Sequence, residues 1–158
     1  MAPRARIYLE TTVVSYLAAR PSRDLRVAAH QQATSEWWTR RRGDFDLFAS
    51  QLVVEEASAG DEEAARRLEY LKGVPLLDLT DQSLALAEKL LTDDVVPTEA
   101  EQDALHIAVA AVHGMDYLLT WNCRHIANAT MRGQIERTCV EVGCDAPVIC
   151  TPEELLED

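Results

Sequence analysis

Short apolar runs alternate along the chain with longer stretches in which apolar residues recur at helical spacing. The short runs, each bounded by turn residues, predict β-strands, and the longer stretches predict amphipathic helices. The predicted strands cover residues 6–9, 45–50, 75–79, 117–121 and 148–150. The predicted helices cover residues 11–19, 23–42, 51–59, 61–71, 81–91, 98–112 and 131–142. This alternation implies crossover connections and an α/β fold, a mostly parallel β-sheet sandwiched between α-helices.

The clearest helix start lies behind Pro97. Thr98 and Glu101 have the spacing of a capping box there, which predicts a helix from this point to Val112. Residues 104–112 of that helix are apolar all round except for His106. A helix without a polar face is expected to lie buried in the middle of the fold.

Glu10 directly follows the apolar run 7–9, so it stands at the carboxyl end of the first predicted strand. In open parallel sheets this edge is where ligands bind. From its position alone, a structural role explains Glu10 as well as a ligand-binding role does. In the structural role Glu10 is a helix N-cap or a first-turn acid that the helix dipole stabilises. Glu10 is therefore a candidate site residue that needs partners.

Glu56 lies on the predicted helix 51–59. At one hundred degrees per residue it falls between Leu52 and Val53 on the apolar stripe, whereas Glu55 turns aside. A carboxylate on a buried face must find a cation or several donors, because burying it unpaired is costly. The alternatives for its partner are a metal ion and an arginine.

Asp103 lies one turn inside the helix that begins near Thr98. Glu99 and Glu101 are explained by the capping box and the helix dipole. Asp103 is too far along for N-capping and stands on a surface that the fold should cover. Neither effect explains it, which makes it a third candidate acid.

Asn122 ends the buried-strand pattern 118–121, and His125 and Asn128 follow at three-residue steps. Such residues can simply close a turn. Glu10, Glu56, Asp103 and Asn122 nevertheless come from four distant segments that should converge on one edge of the sheet. Oxygen ligands of this kind suit Mg²⁺ or Mn²⁺.

Composition limits the class of protein. A chain of 158 residues with 47% apolar content is long enough for one domain, which we expect to span residues 1–158. The apolar runs are too short to cross a membrane and residues 1–6 lack the pattern of a signal peptide, so we expect a cytoplasmic protein. A net charge of −12 disfavours nucleic-acid binding by charge alone and points to a basic partner or to bound cations.

The cysteines show no paired C-x-x-C spacing, and the chain carries no sign of export. Reduced structural thiols are the simplest interpretation. A zinc site is the alternative, and it would be built from Cys139, Cys144, Cys150 and His125.

Arginines bracket the long predicted helix, where they either guide phosphates or form a solvated face; they are Arg20, Arg23, Arg26, Arg40, Arg41 and Arg42. Trp37 and Trp38 are adjacent, so both cannot point into the core. One of them is expected to mark a groove for a protein partner or for a second copy of the chain.

At these residues the sequence resembles the PIN-domain family, in particular the VapC-type toxins of bacterial toxin–antitoxin pairs. The matching stretches occur in the family's order over nearly the whole chain; they are residues 7–12, 50–56, 103–108 and 118–122. The resemblance implies a parallel sheet between helices and an Mg²⁺- or Mn²⁺-dependent cleavage of RNA that leaves a 5′-phosphate and a 3′-hydroxyl.

Carried over by position, the family's first three acids fall on Glu10, Glu56 and Asp103. Its fourth acid falls on Asn122, and Thr12 takes the place of a small hydroxyl residue. Glu10 is one methylene longer than the usual Asp. Asn122 is neutral, which favours one metal ion held by the three acids, with Asn122 as a positioning ligand.

The implied partners are an RNA substrate, an antitoxin with a basic segment and a second copy of the chain in a homodimer. His125 is a candidate proton donor to the leaving oxygen, and a structural role fits it equally well. The competing hypotheses are a catalytically weak PIN-like module that binds RNA or protein, and a nuclease that acts on DNA.

Overall fold

A five-stranded sheet forms the centre of the fold. The computed structural model describes residues 3–157 and arranges the strands in the order β3-β2-β1-β4-β5, all parallel. The strands are β1 (Ala5–Leu9), β2 (Phe45–Ser50), β3 (Leu76–Leu77), β4 (Tyr117–Leu119) and β5 (Val148–Cys150). The predicted α/β class and parallel sheet are confirmed.

Helices connect the strands in the order that the sequence predicts. They are α1 (Thr11–Ala18), α2 (Leu25–Arg40), α3 (Gln51–Ala57), α4 (Ala64–Leu71), α5 (Asp81–Thr92), α6 (Glu101–Val112) and α7 (Ala129–Glu141). Within the described part of the chain, none is both long and apolar enough to cross a bilayer.

The two faces of the sheet carry separate hydrophobic clusters. Tyr8 of β1 packs in one cluster with Ile107 of α6, while its neighbours Ile7 and Leu9 pack in the other with Trp37 of α2. This follows from the period of two residues in a strand, which sends successive side chains to opposite faces. Helices therefore cover both faces, and the carboxyl end of β1 is left as the edge where polar groups can gather.

The predicted capping box at Thr98 is wrong. Thr98–Ala100 forms a 3-10 turn closed by a hydrogen bond from the Ala100 N–H to the Pro97 carbonyl, 2.9 Å long. Helix α6 begins only at Glu101, and no side chain caps it. The Ala100 N–H is bonded to a backbone carbonyl within the turn, so the Thr98 hydroxyl does not cap the helix.

Several predicted element boundaries also shift. The strands predicted at 75–79 and 117–121 are shorter in the structure, where they are β3 and β4. The last helix starts before residue 131, since the Asn128 side chain accepts from the Thr130 N–H at 3.0 Å and caps α7. Asn128 thus has the turn-closing role that the sequence left open.

The C-terminal end of α3 is held by Arg67 of α4, whose side chain is 8% exposed. Its guanidinium donates to the Ala57 carbonyl at 2.8 Å and to the Ala59 carbonyl at 3.0 Å, and it pairs with Asp61 at 3.0 Å. The Ala57 carbonyl belongs to the last turn of α3, where backbone acceptors lack intrahelical donors, and the Ala59 carbonyl lies in the segment just after the helix. Arg67 therefore fixes the segment that follows Glu56.

Replacing Arg67 with Met is expected to lower the free energy of unfolding by about 2 kcal/mol, because the buried Ala57 carbonyl and the partly buried Ala59 carbonyl lose their charged donor. Urea unfolding followed by circular dichroism measures this. Arg66→Met is the matched control, since Arg66 is exposed on the same helix. Equal unfolding midpoints for the two variants would show that Arg67 does not stabilise the end of α3.

Candidate functional site

Glu10 lies at the carboxyl end of β1, with its side chain buried at the start of α1. Its Oε1 accepts from the Thr12 N–H at 3.2 Å, from the Thr12 hydroxyl at 2.5 Å and from the Thr120 hydroxyl at 2.6 Å. The N-cap interpretation of Glu10 is therefore confirmed. Its Oε2 makes no hydrogen bond within residues 3–157. One carboxylate oxygen is therefore fixed by protein donors, and the other is open in the sense that no protein donor bonds to it.

Glu56 lies on α3 with a half-buried side chain. Its Oε1 accepts from the Thr11 hydroxyl at 2.5 Å and lies 2.7 Å from Nε2 of His106. The arginine-partner alternative is wrong in the described part of the chain, because the ion-pair partner is His106. As for Glu10, Oε2 carries no hydrogen bond there.

His106 is the site residue that the sequence reasoning missed. It is fully buried on α6, and its Nδ1 lies 2.7 Å from the Tyr8 hydroxyl, which in turn lies 2.7 Å from Oγ of Ser50. A chain of hydrogen bonds thus runs from Glu56 through His106 into the core. The signal was present, since His106 is the one polar residue of the apolar stretch 104–112.

The electrostatics favour an ionised pair of Glu56 and His106. Burial raises the pKa of the Glu56 carboxyl, but hydrogen bonding and charge from His106 lower it overall. Burial lowers the pKa of His106, but the hydrogen bond with Glu56 raises it overall. The charges of Glu10 and Asp103 also raise the His106 pKa. Burial likewise raises the pKa of Tyr8, which keeps its hydroxyl protonated.

Potential metal-ligating atoms of Glu10, Glu56 and His106 all lie within 4.8 Å of one another at the carboxyl edge of the sheet. Each carboxylate has one oxygen held by protein donors and the other open. The donor set suits a hard divalent cation such as Mg²⁺ or Mn²⁺. Both His106 nitrogens already have partners, so this ring orients Glu56 rather than offering a free ligand atom.

Asp103, Asn122 and His125 form a second group. Oδ1 of Asp103 accepts from the Asn122 amide at 3.0 Å, and Oδ2 lies 3.0 Å from Nδ1 of His125. The Asn122 amide oxygen accepts from the His125 N–H at 3.0 Å, so Asn122 also closes the turn. Thr120 links the groups, because its hydroxyl donates to Glu10 and accepts from the Asn122 N–H.

The alternative zinc site is wrong. The cysteines are unpaired thiols, as expected, but within residues 3–157 they do not gather with a histidine at ligand distance. The Cys144 thiol donates to the Cys139 carbonyl, and burial raises the pKa of both Cys139 and Cys150 to about 12. His125 points to Asp103 instead.

The remaining polar candidates lie outside the site. Glu55, Glu99 and Glu101 are exposed. The bracketing arginines form surface pairs in several cases, such as Arg20 with Glu62 at 3.4 Å. Trp37 is fully buried, whereas Trp38 is half-buried and lies 3.9 Å below the Arg42 guanidinium. Only one of the two tryptophans is a core residue, as the adjacent positions require.

Comparison with known proteins supports the fold alone. No protein-family model matches the chain, and no curated protein is similar to it. Among solved structures, this chain is similar to a chain of VapBC2 from Rickettsia felis, with a TM-score of 0.54 and 13% identity. In that structure VapBC2 is bound to a DNA fragment from its own promoter. The match covers 92% of this chain and 98% of that chain. The protein therefore shares the fold of that VapBC2 chain over most of its length.

Proposed function

We propose that this chain is a metal-dependent endoribonuclease of the PIN-domain, VapC type and the toxin of a type II toxin–antitoxin pair. The observation that carries the proposal is the arrangement of Glu10 and Glu56. Each presents one open carboxylate oxygen at the carboxyl edge of a parallel sheet, and each has its other oxygen held by donors. The fold likeness to VapBC2 supports the same conclusion.

Glu10 and Glu56 would hold Mg²⁺ or Mn²⁺ directly, and Asp103 would do so directly or through water. The ion supplies a Lewis acid that activates water and offsets the charge of the scissile phosphate. Asn122 holds Asp103 in position through its amide, which fits a neutral positioning group better than a fourth acid.

A residue of this chain would supply the proton that the leaving 3′ oxygen takes up. Water gives up one proton to the solvent and attacks phosphorus, the bond from phosphorus to the 3′ oxygen breaks, and that oxygen takes up a proton. The Asp103 carboxylate accepts a hydrogen bond from Nδ1–H of His125 and so fixes the orientation of the ring. Nε2 of His125 makes no hydrogen bond within the described chain. The imidazolium form of His125 would donate this proton from Nε2 and become neutral.

The acidic chain also fits a protein partner. A net charge of −12 complements an antitoxin with a basic segment, and the neighbour in the fold comparison is a VapBC2 assembly. A homodimer and a cytoplasmic location follow from the same resemblance and belong to the proposal.

Incubation of the purified protein with single-stranded RNA or DNA, with Mn²⁺, Mg²⁺ or EDTA, tests the function. We expect internal cleavage of RNA with either metal and none with EDTA. Cleavage of DNA in preference to RNA would favour the DNA nuclease, and RNA binding without cleavage would favour the weak binding module. Either result would overturn the ribonuclease proposal.

A further inference from the structure

An aromatic group lies beside the carboxylates. The rings of His30 on α2 and Trp121 after β4 are stacked, with centroids 4.0 Å apart and planes 15° apart. Tyr16 of α1 flanks both, with centroids 6.2 Å from His30 and 5.9 Å from Trp121. Trp121 is 8% exposed, and its Nε1 donates to the Thr34 hydroxyl at 2.7 Å. Trp121 is thus buried and held in place, while His30 and Tyr16 are half-buried and partly exposed at the surface.

This aromatic group borders the candidate site. The Trp121 N–H donates to the Thr12 hydroxyl at 2.8 Å, and the same hydroxyl donates to Glu10. Burial raises the pKa of Tyr16, and the charges of Cys123 and Glu10 raise it further, which places the phenol within the field of the carboxylate. Thr12 and Trp121 thus connect Glu10 to the aromatic group that contains Tyr16 and His30.

The polar atoms of the pair have no partner. Within residues 3–157 neither the Tyr16 hydroxyl nor a ring nitrogen of His30 makes a hydrogen bond. Arg26 stands one turn before His30 on α2, and Arg124 follows Trp121 after two residues. Both arginines are exposed, and neither forms an ion pair in the described chain.

We propose that Tyr16 and His30 form a nucleobase subsite next to the metal-binding acids. An unpaired base of the RNA packs against this pair, its edge meets the Tyr16 hydroxyl and the His30 nitrogen, and Arg26 and Arg124 contact the flanking phosphates. The inference rests on the proposed function. A base is the occupant because a planar ring with polar edges matches stacked rings whose own polar edges lack partners, and its phosphates match two exposed arginines on the adjoining segments.

The test combines cleavage kinetics with binding of short single-stranded RNAs that differ at one base, measured by fluorescence anisotropy in Ca²⁺. His30→Ala is expected to raise KM and Kd about tenfold, with kcat changed by less than about twofold. His30→Phe keeps the stack and most of the affinity but flattens the preference among bases. Tyr16→Phe flattens this preference as well.

Tyr117→Phe and His113→Ala are the matched controls, since Tyr117 starts β4 and His113 ends α6, away from the carboxyl edge. Unchanged KM, Kd and base preference in the Tyr16 and His30 variants would overturn the subsite, as would a loss confined to kcat. Circular dichroism confirms folding, and His30→Phe keeps the test decisive if His30→Ala unfolds.

The two proposals fail separately. If the wild type cleaves RNA but the variants match it, the subsite is wrong and the nuclease stands. If the wild type binds RNA through His30 without cleaving it, the nuclease is wrong and the base subsite stands. If the wild type neither binds nor cleaves RNA, both are overturned.

Discussion

Glu56→Gln is expected to slow metal-dependent RNA cleavage by about a hundred- to a thousandfold. Glutamine keeps the length of the side chain but removes the negative charge at the open oxygen. The substitution also leaves His106 without a negatively charged partner, because Nε2 of His106 lies 2.7 Å from Oε1 of Glu56. Single-turnover cleavage at saturating Mn²⁺ measures the effect on the chemical step. Calorimetric titration with Mn²⁺ should show weaker binding in the same variant.

Glu55→Gln is the matched control for this prediction. Glu55 precedes Glu56 on α3, carries the same charge and is exposed. Its substitution lowers the net negative charge equally, so any general effect of charge on RNA binding appears in both variants. Equal rates for Glu56→Gln and Glu55→Gln would contradict a metal-binding role for Glu56.

The placement of Glu56 could be predicted because it depends on a local period. A helix of 3.6 residues per turn separates the inward position of Glu56 from the outward position of Glu55, and their burial differs accordingly. Glu10 could be placed for a similar reason, since it follows the apolar run that becomes β1. Residues whose placement follows from local periodicity are therefore the ones that sequence reasoning locates.

The hydrogen-bond partners of the acids could not be predicted. Thr120 reaches Glu10 across 110 positions of sequence, and His106 reaches Glu56 across 50. Such contacts depend on how α6 and β4 pack on β1, which no local pattern encodes. The same limit explains the error at Thr98, where a capping-box spacing is overridden by the turn behind Pro97.

The partners of the acids also explain why the site suits a cation. Threonine hydroxyls hold Oε1 of both Glu10 and Glu56, and a hydroxyl fixes a carboxylate without cancelling its charge. Among the described residues, His106 meets Glu56 and His125 meets Asp103 at hydrogen-bond distance, whereas Glu10 has no cationic partner. The charge that Glu10, Glu56 and Asp103 keep is what the proposed divalent ion would offset.

His106→Leu is expected to lower the free energy of unfolding by about 3 kcal/mol, measured by urea unfolding in EDTA. Leucine fills much of the space but leaves the Tyr8 hydroxyl and Glu56 without their shared partner. For a chain of 158 residues, this loss corresponds to a fall of roughly 6 to 12 °C in the unfolding midpoint. The variant should also lose activity, because Glu56 loses the contact that orients it.

A double-mutant cycle with Tyr8→Phe separates the hydrogen bond from the loss of packing. Once His106 is Leu, the Tyr8 hydroxyl keeps only Ser50, so its removal costs less than it does in the wild type. We expect a coupling of about 1 to 2 kcal/mol between the two positions. The control cycle pairs His106→Leu with Tyr117→Phe on β4 and should be additive within about 0.5 kcal/mol. Additivity in the Tyr8 cycle as well would mean that the buried chain from Glu56 to Ser50 contributes packing but no cooperative hydrogen bonding.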